Sequence, residues 1–97
     1  MSQIRIPTPL RKFTGGMDEV PGSGNTLRAV LENLESQHAG IRKQICDSNG
    51  ELRRFVNVFI NEEDARYLAG LDSEIKEGDV ISIIPAIAGG TKNRPGE

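Results

Sequence analysis

Polar and apolar residues alternate in Gln3-Ile4-Arg5-Ile6, the two-residue period of a half-buried strand, and Pro7 and Pro9 then stop it. Thr14–Gly16 signals a turn, because paired glycines supply positive φ. Met17–Val20 reads as a short returning strand, so residues 3–20 are expected to form a hairpin. Residues 21–25, Pro-Gly-Ser-Gly-Asn, read as a loop into a helix that Asn25 or Thr26 can cap. Leu27, Val30, Leu31 and Leu34 then recur at i, i+3, i+4 and i+7, one apolar stripe. The helix should stop near His38, with Gly40 just past its end.

Ile41–Asp47 predicts a short strand around Ile45, followed by a turn at Ser48–Glu51. Arg53–Ile60 is the strongest strand in the chain, rich in β-branched and aromatic residues. Asn61–Leu68 opens on an Asn cap and three acids, which predicts a short helix or 3₁₀ turn. Glu77–Asp79 is a tight turn. Val80–Pro85 is apolar on both faces except at Ser82, the mark of a central strand buried above and below. The order is strand, strand, helix, one or two strands, short helix, strand. It predicts an α+β, β-grasp (ubiquitin-like) fold: a mixed sheet, one main crossing helix and a central C-terminal strand. A ferredoxin-like sandwich is the rival, but it needs a second full helix, and residues 62–70 are too short for one.

Composition narrows the function classes. The 97 residues fit one small domain. With 36% hydrophobic and 27% charged residues, a folded chain is expected, and with no Trp its core must come from Ile, Val and Leu. Net charge is −2 and the 12 Lys and Arg are scattered, so no stripe for phosphates forms and nucleic acid is not an expected partner. No apolar stretch is long enough to cross a bilayer, and the first ten residues lack a signal-peptide core, so a cytoplasmic chain is expected. The single Cys46 excludes an internal disulfide and a multi-Cys zinc site, and the single His38 excludes a His-pair metal site. Catalytic machinery is scarce. The expectation is a carrier or co-substrate rather than an enzyme, with no metal or cofactor bound by this chain.

Several residues invite sharper readings. Cys46, beside Ile45, reads as a small packed thiol rather than a redox site. His38 suits the negative end of a helix dipole. Gly22–Gly24 precedes a helix like a phosphate loop but lacks the Lys of one. Glu62, Glu63 and Asp64 can suggest a metal cluster, yet acids are ordinary in a first helical turn. Arg53 and Arg54 can face an acidic partner groove or simply protect a sheet edge. Phe13, Phe55 and Phe59 are candidates for a docking face, some of them necessarily core.

The end of the chain carries the functional signal. After the last strand come Ala86, Ile87, Ala88, Gly89 and Gly90, then seven polar residues. Extended, Pro85–Gly90 reaches roughly 20 Å, enough to enter a partner's pocket. Two glycines give the thinnest backbone and leave a terminal carbonyl unhindered. Residues 1–85 are thus expected to form the domain, 86–90 a flexible arm, and 91–97 an extension that is disordered or removed.

The tail Ile83–Gly90, the turn Ile6–Gly16, the strand region Arg53–Leu68 and the ending Glu77–Ala86 together resemble the ubiquitin-like sulfur carriers of the MoaD/ThiS type, most nearly those serving cysteine synthesis. The likeness runs from about Ile4 to Gly90. It implies a β-grasp fold and a Gly90 carboxylate that a ubiquitin-activator-like enzyme adenylates with ATP and converts to a thiocarboxylate. It also implies a PLP-dependent cysteine synthase and a zinc-dependent JAMM-type metalloprotease as partners, with ATP, PLP and zinc on those enzymes. Such carriers generally end at the glycine pair. Here Thr91–Glu97 follows, so cleavage between Gly90 and Thr91 is the expectation, with a cloning remnant as the other source of the extension. A ubiquitin-like modifier conjugated through Gly90, or a carrier for molybdopterin or thiamine synthesis, remains the alternative.

Overall fold

The computed structural model describes residues 2–85. Strand β1 (Ser2–Arg5) leads into a 3₁₀ helix, Thr8–Phe13, that Pro7 and Pro9 start. Strand β2 is Glu19–Gly22, helix α1 Leu27–Gln37 and helix α2 Arg42–Ile45. Strand β3 is Val56–Ile60, β4 the short Glu63–Asp64, and β5 Val80–Pro85; two 3₁₀ turns, Ala65–Tyr67 and Gly70–Asp72, join the last two. The sheet order is β2-β1-β5-β3-β4. β1 runs parallel to β5, and every other pair is antiparallel. This is the mixed β-grasp sheet expected from the element order, with β5 at its centre. A four-residue α2 and two 3₁₀ turns cannot supply the second full helix of the ferredoxin-like rival.

The core forms between α1 and one face of the sheet. Val20, Ile4, Ile81 and Ile60 make one row across β2, β1, β5 and β3, because the register pairs Ile4 with both Val20 and Ile81, and Ile60 with Ile81. All four are buried beneath Leu27, Val30, Leu31 and Leu34, the apolar stripe of α1. Thr26 caps that helix by accepting from the Ala29 amide at 3.2 Å. Loop ends are locked in the same way: the Asn61 amide donates to the Val80 carbonyl at 2.6 Å and its side-chain oxygen accepts from the Val80 amide at 3.1 Å, which holds Asn61 at φ 60°.

Five sequence expectations change. The strand expected over Arg53–Ile60 begins only at Val56, because Arg53–Phe55 form a turn that the Val56 amide closes by donating to the Arg53 carbonyl at 3.0 Å. β2 starts two residues late and extends through Pro21 and Gly22, tolerated because β2 is an edge strand and a missing N–H there costs no ladder bond. The strand expected around Ile45 is instead helix α2. The Glu35 carboxylate accepts from the Gly40 and Arg42 amides, both at 2.9 Å, and so turns the chain immediately after α1. Only Cys46 keeps a β-bridge, to Leu52. The helix expected to start at Asn61 begins later: Glu63–Asp64 pairs with β3, and Asp64 caps the 3₁₀ turn by accepting from the Arg66 amide at 2.9 Å. Finally, β5 is buried on one face only. Ile81 and Ile83 are covered, while Ile84 is 49% exposed. Central position in the sheet does not bring a second layer when all the helices sit on one side.

Candidate functional site

Ala86, Ile87, Ala88, Gly89, Gly90 and the expected cleavage point Gly90–Thr91 lie outside the described residues. The structure describes where the chain leaves the sheet and what surrounds that exit. β5 is flanked by β1 as far as Ser82 and by β3 up to its end, where Asn57 pairs with Ile84 and Val56 with Pro85 in the antiparallel ladder. Pro85 offers no N–H and so brings the donor series of the strand to a stop there.

The open sheet face lies beside that exit. Register places Arg5, Ser82 and Phe59 in one row and Asn57 beside Ile84 in the next. Phe55 precedes the Val56–Pro85 pair by one residue. It stands 67% exposed at the same end of the sheet, with the Arg54 guanidinium 5.7 Å from its ring centroid. Arg66 ties this corner together. Its guanidinium donates to Asn57 Oδ1 at 2.8 Å, to the Arg53 carbonyl at 2.6 Å and to the Val56 carbonyl at 2.7 Å. A recess of about 390 Å³ lies alongside, lined by Arg5, Arg11, Ser82, Ile84 and Pro85 among others. Apolar centre, cationic margin and chain exit therefore share one end of the open face.

The structure separates the candidate residues. Phe55 and half-buried Phe59 belong to the open face, whereas Phe13 packs against the core and is not part of it. Arg54 lies over Phe55, while Arg53 turns away and donates through Nε to the Lys43 carbonyl at 2.8 Å. Cys46 is buried, and that burial pushes its thiol pKa up, as befits a packed thiol. His38 is the C-cap of α1, its amide donating to the Leu34 carbonyl at 2.8 Å. Among the described residues no group of acids, Cys and His is placed to hold a metal ion, so Glu62, Glu63 and Asp64 do not form one. Gly22 is a strand residue, and Gly24 packs against α1, where a Cβ would lie 2.9 Å from the Val30 amide nitrogen. Among the described residues no helix is long and apolar enough to cross a membrane.

Sequence reasoning missed Arg66 and Ile84. Arg66 had no signal, since nothing in Asp-Ala-Arg-Tyr marks a side chain that reaches back ten residues. Ile84 was hidden by the apolar run around it.

Residues 4–90 match the ThiS family. The chain belongs to the ThiS family. This ThiS-family chain is 47% identical over 89 residues to the sulfur carrier protein CysO of Mycobacterium tuberculosis, covering 90% of this chain and 96% of that one. Its fold is similar to an Amycolatopsis orientalis CysO solved in complex with BexX: TM-score 0.88, 42% identity, 93% of this chain and 100% of the other. It is also similar to small archaeal modifier protein 1 of Methanosarcina acetivorans: TM-score 0.79, 28% identity, 92% of this chain and 95% of the other.

Proposed function

We propose that this chain is a cytoplasmic sulfur carrier. After residues 91–97 are removed, the Gly90 carboxylate is adenylated and converted to a thiocarboxylate that donates sulfur in biosynthesis, with cysteine as the product. The observation that carries this reading is 47% identity to the CysO sulfur carriers over 89 residues. The family match also stops at residue 90, which supports treating Thr91–Glu97 as an addition to the functional unit.

The chemistry asks little of the carrier's own side chains. A carboxylate is a poor electrophile, so attack on the α-phosphate of ATP, with loss of pyrophosphate, first makes a mixed anhydride. A sulfur donor then displaces AMP and leaves the thiocarboxylate. The adenylating and sulfurtransferase enzyme supplies the ATP site. A PLP-dependent synthase uses the sulfur, and a JAMM-type protease with its zinc removes the extension or releases the product. What the carrier provides in this reading is an exit that β3 holds at Pro85, a narrow arm in Ala86–Gly90, and a surface for docking.

A second reading has its own support: the likeness to small archaeal modifier proteins favours conjugation of the same Gly90 to lysines of other proteins. Intact-mass spectrometry of the protein from its native host separates the two. Exchange of one oxygen for sulfur on a chain ending at Gly90 is expected. Covalent adducts that survive denaturation would favour the modifier, and an active pool still ending at Glu97 would refute processing.

A further inference from the structure

A second cavity, of about 460 Å³, lies apart from the open sheet face. It is lined by Glu35, Arg42, Lys43, Cys46, Asp47, Ser48 and Arg53, where α1, α2 and the 46–52 turn meet. Its charges are unevenly used. Both acids are already engaged by backbone amides: Glu35 accepts from Gly40 and Arg42, and Asp47 Oδ1 from Asn49 at 2.9 Å and Glu51 at 3.1 Å. Those two amide bonds hold the Glu35 carboxyl below its usual pKa, so it stays ionised and committed to capping.

The three cations are less fully engaged: Lys43 and Arg42 lie in the field of the Glu35 carboxylate and help to keep it ionised, without forming an ion pair with it. Among the described residues none of Arg42, Lys43 and Arg53 has a carboxylate within ion-pair distance, since the ion pairs there are Arg5–Glu19 and Arg28–Asp72. Arg53 spends only its Nε, on a carbonyl. Arg42 Nε is buried with no hydrogen-bond partner, which is rare for a guanidinium nitrogen out of reach of water. The aliphatic stems of these three side chains and the Cys46 thiol supply apolar wall. Three cations against two carboxylates leave a surplus of one positive charge.

The geometry points to a binding site for a small organic monoanion, a carboxylate with an apolar body, whose head pairs with the Arg42 guanidinium while its body lies on the side-chain stems. A planar carboxylate is the shape a guanidinium fork takes bidentately. The volume falls within the range of small-molecule sites. This reading is independent of the sulfur-carrier proposal, because it uses neither the arm nor the open face.

The test is an amide-resolved NMR titration of the full chain with hexanoate, with acetate and hexylammonium as controls. Saturable shifts confined to residues 42–48 and 53, with a dissociation constant in the millimolar range, are expected for hexanoate. Acetate should bind more weakly and hexylammonium should leave these amides unmoved. Arg42→Gln keeps the backbone amide that Glu35 caps and should weaken hexanoate by about tenfold or more. Lys43→Gln, at an exposed position, should weaken it severalfold and serves as the second variant if Arg42→Gln loses dispersion. Shifts that do not saturate, an equal response to hexylammonium, or unchanged affinity in the folded variants would overturn the assignment.

Discussion

Ile81 and Ile84 are the same residue type on the same strand, three positions apart, and the structure puts them on opposite faces. Ile81 is fully buried in the row between Ile4 and Ile60, whereas Ile84 is 49% exposed on the open face. Truncation to Ala removes three carbons in each case. At about 0.8 kcal/mol per buried carbon, Ile81→Ala loses about 2.4 kcal/mol of transfer energy. The cavity left between α1 and the sheet raises the cost to about 3–4 kcal/mol. Ile84→Ala leaves no cavity and loses about half the transfer energy, about 1 kcal/mol. A domain of this size has about 5–10 kcal/mol in hand, so both variants fold. Urea unfolding followed by far-ultraviolet circular dichroism measures the difference. At a slope of about 1.5 kcal/mol per M, the midpoint should fall by about 2–2.7 M for Ile81→Ala and by under about 1 M for Ile84→Ala. Equal losses, or a larger loss at Ile84, would refute the assignment of one covered and one open sheet face. The functional effect should run the other way: adenylation by a cognate activator at low carrier concentration should suffer more from Ile84→Ala.

Burial raises the Cys46 pKa, so the native state holds its proton longer than the unfolded chain does. Stability should therefore be level below the unfolded thiol's pKa of about 8.5 and fall as pH rises above it. Cys46→Ala should flatten that alkaline slope in denaturation curves taken across pH. Glu35 has the opposite sign: its lowered pKa stabilises the fold above the unfolded value of about 4.3, and this contribution is lost as pH falls through the native value. The stability gap between the parent and Glu35→Gln should accordingly be open at neutral pH and close in acid. A Cβ on Gly22 would lie 2.6 Å from Ser2 Oγ, a buried hydroxyl with no partner among the described residues. Gly22→Ala should cost about 1–3 kcal/mol, and a thermal-denaturation double-mutant cycle with Ser2→Ala should recover part of that loss.

Local chemistry made most of the fold legible. Proline stops, the Thr26 cap and the four-residue apolar stripe of α1 act over a few residues, so the chain announces them. The errors fall where a distant group decides. Ile41–Asp47 has the composition of a strand, but the carboxylate of Glu35, in the last turn of α1, claims the Gly40 and Arg42 amides where it would begin. Val80–Pro85 looks the same whether its second face meets a helix or solvent, and only the placement of every helix on one side decides between them. The expected functional end is a different case: a glycine pair after the last strand needs no tertiary partner to be noticed in the sequence, and it lies outside the described residues. Arg66 was out of reach because its acceptors are the backbone of residues 53 and 56 and the side chain of Asn57.

The strand at the middle of the sheet is the last element of the described chain to be synthesised. Until β5 emerges, β1 with β2 and β3 with β4 are two separate ribbons, each too small to stand alone in water. The sequence-distant pairing that closes them is slow in principle, because most of the chain must be gathered before any bond rewards it. Completion of the sheet is thereby the last step of the chain's assembly: a chain cut short of β5 lacks the strand that joins its two ribbons.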